Sequence, residues 1–344
     1  MALHELRNNY SMAQGILLVG GFGTRLMPLT QTLPKPMLPV AGLPVTEHQL
    51  IRAKKAGITS LVLATSYLSE VFLPYFGDGS RWGMEIRYAV ETEPLGTGGG
   101  IRNAARFLNS DESIVIFNGD VLSSHDLLAQ IKMHEEHSAD VTMHLTHVED
   151  ARAYGCVPVD DSGRVTAFLE KMEVPVANTI NAGCYIFNPR VIAEIPQGVS
   201  VSIEREIFPE LVKSGRPIFG LIDDSYWIDI GTPQALLQGS IDVVRGIANA
   251  DALEGASFSY RSSEYIAMEG AVISKDAWIS GGSSIGPFVN IDARARVEGS
   301  IVCARAKVSE GANISGCFVA EDAIVEAGVE YLTKYIGLEG AQDL

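Results

Sequence analysis

Three glycines, an arginine and a lysine gather in one stretch, Gly20-Gly21-Phe22-Gly23-Thr24-Arg25, closed by Pro34-Lys35-Pro36. Glycine at three of four positions lets the backbone turn sharply and leaves N–H groups with no side chain in front of them. Such a row of donors suits an anion, and Arg25 and Lys35 add two fixed positive charges. Pro28, Pro34 and Pro36 stiffen the path between them. The chemistry that fits this set is the binding of a polyphosphate. Two familiar glycine loops do not match. The dinucleotide fingerprint needs a glycine where Leu26 stands and an acidic residue ending the next strand, where residues 61–65 have none; the P-loop needs Gly-Lys-Ser/Thr. A plain glycine turn leaves an Arg and a Lys held among prolines unexplained.

Carboxylates come next. Asp120 follows Asn118-Gly119, and Asp229 lies in Tyr226-Trp227-Ile228-Asp229-Ile230-Gly231-Thr232-Pro233. Each alone reads well as a helix cap. Together, two carboxylates from distant parts of the chain could hold Mg2+, which takes carboxylate oxygen along with phosphate and water. Glu91-Thr92-Glu93-Pro94-Leu95-Gly96-Thr97-Gly98-Gly99-Gly100 is a second backbone-rich loop, with Thr97 as a candidate N-cap for the helix after it. His125, His134, His137, His144 and His147 lack metal spacing and read as surface or helix-face residues. No Ser-His-Asp or Cys-His arrangement is suggested.

The elements that must position these groups alternate. Apolar residues 16–19 predict a buried parallel strand running into the glycine loop. Helices are expected over 46–56, 66–76, 97–108 and 125–137, and strands over 60–64, 84–90, 113–117 and 140–147. Such alternation implies a parallel-rich sheet covered on both faces, with its site at the strand carboxyl ends, where Gly20–Arg25 and Asp120 fall. Residues 154–187 read as short strands of an inserted sheet, with Glu170 and Lys171 on one of them. A helix over 233–248 closes this region.

Past a linker at 249–268 the periodicity changes. Ile273, Ile279, Ile285, Ile291 and Val297 recur every six residues; after a step of five come Val302, Val308 and Ile314, and after another Val319 and Val325. Small residues such as Ala277, Ser283, Ala295, Ala306, Ala312 and Ala323 follow four places behind many of them. Six-residue spacing marks a parallel β-helix, whereas a β-sandwich would alternate by twos.

Gly-Gly-x-Gly-Thr-Arg-Leu-x-Pro-Leu-Thr with Pro-Lys-Pro resembles the signature of the sugar-1-phosphate nucleotidylyltransferases. Its finer spelling is most similar to the branch that makes GDP-mannose, and the likeness extends over nearly the whole chain. The resemblance implies an α/β fold: a Rossmann-like nucleotidyltransferase domain with a mixed, mostly parallel sheet over 15–248, and a left-handed β-helix over 269–332. Residues 1–14 would be an extension of no assigned function and 333–344 a tail. It implies transfer of a nucleotide from a triphosphate, GTP in that branch, to a hexose 1-phosphate, mannose 1-phosphate in that branch. Arg25 and Lys35 would neutralise the triphosphate. Gly20, Gly21, Gly23, Thr24, Glu93, Pro94, Gly96 and Thr97 would bind the nucleotide, with Glu93 facing the purine edge. Lys171 would hold the sugar phosphate, and Gly155, Glu170, Asn181 and Gly183 the sugar hydroxyls. Asp120 and Asp229 match the Gly-Asp-x-Leu and Trp-x-Asp-Ile-Gly metal motifs and would hold Mg2+. Family members often carry alanine where Gly98 or Gly100 stands, so a more pliable loop is expected here. Ser202-Ile203-Glu204-Arg205 also matches a family segment, and its plainest role is a helix start capped by Ser202.

Rival readings are glucose 1-phosphate with UTP, dTTP or ATP, and a non-catalytic nucleotide-sugar sensor. Acyl transfer by the β-helix would need a histidine base, and no histidine follows His147. A net charge of −16 over 344 residues argues against nucleic acid or an anionic membrane as partner. It also means that any triphosphate must be held by local cationic groups. Four cysteines without metal spacing suggest reduced thiols and a cytoplasmic protein, and the start of the chain lacks the apolar core of a signal peptide. Exposed solenoid faces suggest a homo-oligomer built through the β-helix.

Overall fold

The structure, a computed structural model, describes residues 14–344 apart from 22, 32, 67, 68 and 171. Two compact units form. The described residues up to Gly21 join Gln49–Val121 and His125–Trp227 in the first; those from 23 to 48 join Leu122–Ser124 and Ile228–Leu344 in the second.

The first unit is built on a seven-stranded sheet of β1 (Gln14–Leu18), β2 (Ser60–Thr65), β3 (Glu85–Val90), β4 (Ile114–Asn118), β5 (Val141–His147), β6 (Thr179–Phe187) and β7 (Ile218–Ile222), in the order β7-β5-β6-β4-β1-β2-β3. All neighbours run parallel except β6, which is antiparallel to both β4 and β5. Near-continuous apolar runs make the inner strands, as burial on both faces requires, while β3 at the edge alternates buried and exposed residues. Ile101 and Ala104 of the helix Gly96–Ala105 join Ile16, Val62, Ile116 and Tyr185 in one core.

The expected inserted sheet is not there. Among the described residues from Tyr154 up to Thr179 only isolated bridges occur, Cys156 with Leu169 and Ile180, Val159 with Val165 and Arg164 with Phe219, and Thr179–Phe187 enters the main sheet as β6. The reason is composition: Ile180, Cys184, Tyr185, Ile186 and Phe187 are all buried, and a strand apolar on both faces is most stable in the middle of a sheet. Glu170 therefore lies in an irregular segment, and Lys171 lies outside the described residues.

The histidine reading also needs correction. His137 and His147 are exposed and His134 sits on the helix Leu127–Glu136, as read, but on its buried face; His125 and His144 are buried as well and lie off any helix. His125 accepts at Nδ1 from Arg52 Nη2 (2.6 Å), donates at Nε2 to Gln130 Oε1 (2.9 Å), and stacks 3.6 Å from the His144 ring. A neutral imidazole satisfies that pattern and an imidazolium does not. Burial pushes His134 and His144 down to about 4, and burial with the Arg52 charge takes His125 well below its ordinary value. Above pH ~6.5 these rings are neutral folded or unfolded and contribute no pH dependence. Below it the unfolded chain takes up protons that the fold refuses. Stability is therefore expected to fall as pH drops from about 6.5 towards 4, by up to roughly 3 kcal/mol per histidine. Urea midpoints at pH 7.5 and 5 check this, and the drop should shrink in His144→Asn; equal midpoints would contradict it.

In the second unit the chain from Tyr265 onward winds into a three-sided parallel β-helix. Ile285 pairs with Val302 and Val302 with Val319, one coil of strands apart. The steps of five in the anchor row are thus the short side of a coil. Ile285, Ile291, Val297, Val302, Val308, Ile314, Val319 and Val325 fill the interior, with Ala295, Ala306, Ala312 and Ala323 beside them. The strand Phe258–Arg261, within the stretch read as a linker, pairs antiparallel with Tyr265–Met268 at the head of the solenoid, and Lys334–Gly337 pairs with Gly340–Asp343 at its foot. Left-handed backbone stacks at the corners: Phe288, Arg305 and Asp322 form one such column, with φ of 58°, 57° and 61°. Inside, a ladder of buried small polar groups replaces apolar anchors. Ser283 Oγ donates to Ser280 O and accepts from Ser300 N, and Ser300 Oγ accepts from Cys317 N. The helix Pro233–Val244, capped by Thr232, lies against this solenoid; a Cβ on Gly282 would come within 2.8 Å of Ile241 Cγ2. Among the described residues, no helix is long and apolar enough to cross a membrane.

Candidate active site

In the first unit, the carboxyl ends of β1, β2 and β4 are drawn together by backbone alone. Val19 N donates to Ala64 O (3.0 Å) and Gly119 N to Leu18 O (3.0 Å). A Cβ at position 119 would sit 2.4 Å from Leu18 O, so the residue before Asp120 has to be glycine. Gln49, buried, donates from Nε2 to Val121 O and, more weakly at 3.5 Å, to Asn118 O, bracing both sides of the turn that carries Asp120. Gly21, at φ 117°, donates its N–H to Ser66 Oγ (3.3 Å), and Gly20 is packed so closely on Ser66 that a Cβ would meet its Oγ at 2.7 Å.

In the second unit the glycine loop continues through Gly23, at φ 58°, into the 3-10 turn Thr24–Leu26. Leu26 is buried and anchors the turn, Thr30 Oγ1 donates to Gly23 O (2.9 Å), and Thr24 and Arg25 are left exposed. Lys35 opens the turn Lys35–Met37, whose Pro36 carbonyl is held by the buried Thr46 Oγ1 (2.9 Å). Lys35 is itself only 8% exposed, with Nζ 3.6 Å from Asp229 Oδ1. Asp229 ends the strand Trp227–Asp229, and two residues later Gly231 gives the reason for its own identity. A Cβ there would lie 2.8 Å from Arg25 Nη2 and 2.9 Å from Asp229 Oδ1. Arg25, Lys35 and Asp229 thus converge, two cations to one carboxylate, in an otherwise acidic chain.

The loop at Glu93 is held from behind. Gly98 N donates to Val201 O (2.8 Å), Val201 N to Leu95 O (2.9 Å), and Cβ atoms on Gly96, Gly98 or Gly99 would strike the carbonyls of Val201 or Val199. Gly96, Gly98 and Gly99 pack against residues 199–201 and Gly100 against the Glu91 carboxylate, so the loop is held by its neighbours and not left pliable as expected. Thr97 is not the cap: the helix starts at Gly96, and the Thr97 hydroxyl donates to Glu204 Oε2 (2.8 Å) while accepting from Ile203 N (2.9 Å). Ser202 does cap the following turn, accepting from Arg205 N. Glu93 and Pro94 remain exposed at the tip, while Glu91 behind them accepts from Leu95 N (3.1 Å) and is pushed up by burial.

Gly155, Glu170, Asn181 and Gly183 come together in the first unit. Asn181 N donates to Gly155 O (3.1 Å), a Cβ on Gly155 would lie 3.3 Å from Glu170 Oε2, and Gly183 N donates to Asn181 Oδ1 (3.0 Å). Gly183, at φ 77°, irregularises β6 and lets Asn118 approach; Asn181 Nδ2 donates to the fully buried Tyr185 hydroxyl (2.6 Å). Burial holds that phenol well above its usual range, so it stays protonated. Gln49, Ser66, Thr46 and Tyr185 escaped the sequence reading, and the available signal was polar residues at positions where the pattern demands apolar ones.

Asp120 and Asp229 are the carboxylates of these loops, and hard carboxylate oxygen is the donor that Mg2+ takes, commonly from one or two residues beside phosphate and water. The donor chemistry fits that ion. Among the described residues, no group of three or more His, Cys, Asp or Glu is placed to hold a metal.

Comparison with known proteins places the chain in a family. The nucleotidyl transferase family matches residues 14–245. The chain is 47% identical over 312 residues to mannose-1-phosphate guanylyltransferase of Mycobacterium tuberculosis, covering 90% of this chain and 83% of the relative. It is 34% identical over 306 residues to mannose-1-phosphate guanylyltransferase 1 of Arabidopsis thaliana, covering 88% and 82%. Its fold resembles a Bacillus anthracis crystal structure assigned as a glucose-1-phosphate thymidylyltransferase, with a TM-score of 0.61 at 22% identity over 66% of this chain and 94% of that one. A family match of this extent, with a relative so similar along almost the full length, leaves one conclusion: the chain belongs to the nucleotidyl transferase family.

Proposed function

We propose that this protein transfers the guanylyl group of GTP to mannose 1-phosphate, giving GDP-mannose and pyrophosphate. A phosphate oxygen of the sugar phosphate attacks the α-phosphorus in line; the new O–P bond forms as the bond to the β-phosphate oxygen breaks, and pyrophosphate leaves. The attacking oxygen already carries negative charge near neutral pH, so no general base is needed, and no protein nucleophile takes part. What remains for the protein is positioning and charge neutralisation.

The convergence of Arg25, Lys35 and Asp229 is the observation that carries this reading. Arg25 and Lys35 neutralise the triphosphate and the departing pyrophosphate. Asp120 and Asp229 would hold Mg2+, which when bound supplies further positive charge to the phosphate oxygens. Gly20, Gly21, Gly23 and Thr24 present backbone donors to the nucleotide. Glu93 and Pro94 meet the base from a loop that Gly96 and Thr97 hold in place. Gly155, Glu170, Asn181 and Gly183 receive the sugar, and Lys171 its phosphate. The names of the relatives at 47% and 34% identity support guanine and mannose as the pair.

We place the catalytic domain at 15–248, a connecting segment at 249–268 whose strands head the solenoid, and the β-helix at 269–332 with the strand Lys334–Gly337 at its foot. A homo-oligomer formed through the β-helix would show as a mass above one chain by light scattering at micromolar concentration. Four free cysteines suit a reducing compartment, the cytoplasm. The function is tested with a panel of GTP, UTP, dTTP and ATP against mannose and glucose 1-phosphates, read by pyrophosphate release. GTP with mannose 1-phosphate should give the highest kcat/KM. Preference for glucose 1-phosphate with another triphosphate would overturn the substrate assignment.

A further inference from the structure

The turn that carries Lys35 runs straight into a tight hairpin. Pro39–Val40 pairs with Leu43–Pro44, and the tip is Ala41 and Gly42, at φ 47° and 79°. A left-handed alanine is costly on its own and persists where its surroundings fix it. Here they do. Ala41 N donates to Ser240 Oγ at 2.9 Å, and both residues are buried. Ser240 sits on the helix Pro233–Val244, and its own hydroxyl proton is directed to Ser284 Oγ at 3.4 Å, on the second strand of the β-helix face. One residue on, a Cβ at Gly42 would meet the Met268 sulfur, in the strand before it, at 2.7 Å. The tip of the Lys35 hairpin is thus held on one side by Ser240 of the helix Pro233–Val244, which is itself bonded to Ser284 of the solenoid, and on the other by Met268 of the first coil.

We infer that Ser240 is a positioning residue through which the β-helix sets the place of the Lys35 turn. Resting on the proposed role of Lys35 at the triphosphate, this assigns the solenoid a part in catalysis beyond any part in assembly. The path is short. Ser240 fixes Ala41, His48 Nε2 fixes the carbonyl of Val40 (3.0 Å), and Leu38 N closes back on Lys35 O (3.1 Å). The ammonium at the far end has to hold an anion to within a fraction of an ångström for its charge to count in the transition state.

The full-length Ser240→Ala protein is assayed beside wild type with GTP and mannose 1-phosphate varied in turn. Losing one buried hydrogen bond that aims a catalytic group should lower kcat/KM for GTP about tenfold, with KM for mannose 1-phosphate within about twofold. A solely structural serine would lower the melting temperature and leave both kinetic constants unmoved, which would overturn the inference. If Ser240→Ala fails to fold, Ser284→Ala decides, since it removes only the β-helix end of the link; it should shift the same constant, about threefold. Unchanged constants in that variant would likewise overturn the inference. Lys35→Ala is run in parallel. Loss of turnover in Lys35→Ala with none in the serine variants refutes the positioning role alone, whereas normal turnover in Lys35→Ala refutes both that role and the proposed use of Lys35.

Discussion

Arg25→Ala is expected to lower kcat for pyrophosphate release at least about a hundredfold, roughly 3 kcal/mol of transition-state stabilisation, while leaving the thermal melt unchanged. The two halves of that expectation come from different facts. Arg25 is exposed on its turn, so truncation leaves the fold alone. Its guanidinium, however, approaches the same point at Gly231 as the Asp229 carboxylate, and a fixed charge aimed at phosphate oxygens works hardest where charge moves as pyrophosphate departs. Arg25→Lys should recover part of the loss, because an ammonium keeps the charge but not the planar fork that matches phosphate. Steady-state kinetics at saturating substrates check both variants, and near-normal turnover in Arg25→Ala would rule out its assignment.

Asp229→Asn should be as damaging by a different route. The substitution keeps the shape and removes the negative charge, so a divalent cation loses a ligand and the nearly buried Lys35 loses its ion-pair partner at 3.6 Å. Turnover should fall about a hundredfold, and the Mg2+ concentration needed for half-maximal rate should rise. A titration of rate against Mg2+ separates this from a general loss of structure. An unchanged Mg2+ requirement in a slow variant would mean that Asp229 serves Lys35 alone.

The β-helix was readable because its rule is local and repeated: each coil imposes the same small set of φ angles and the same inward anchor, so the six-residue period is written plainly from Ile273 to Val325. The parallel strands were readable for a similar reason. What failed were features decided by distant partners. Thr179–Phe187 carries the apolar content of a central strand, but nothing near it in the chain says that it returns to lie between β4 and β5. His125, His134 and His144 read as surface or helix-face residues, and their burial was missed because a histidine looks polar until Arg52, Gln130 and Thr142 are found around it. In the glycine-rich loop the residues were identified but their reason was not: Gly96, Gly98 and Gly99 make room for the carbonyls of residues 199 and 201, which lie a hundred positions later. Arg25, Lys35 and Asp229 were legible by type and motif, and their convergence is what the fold adds. The grouping of the Lys35 hairpin in one compact unit with the solenoid has no sequence signal at all.

A crystal structure with Mn2+ in place of Mg2+ and a non-hydrolysable GTP analogue tests the central claim most directly, because the anomalous signal of manganese fixes the cation independently of the protein. It should show the metal on Asp229 and the triphosphate within hydrogen-bonding reach of Arg25 and Lys35. A triphosphate bound away from both cations, with the manganese on other ligands, would contradict the account.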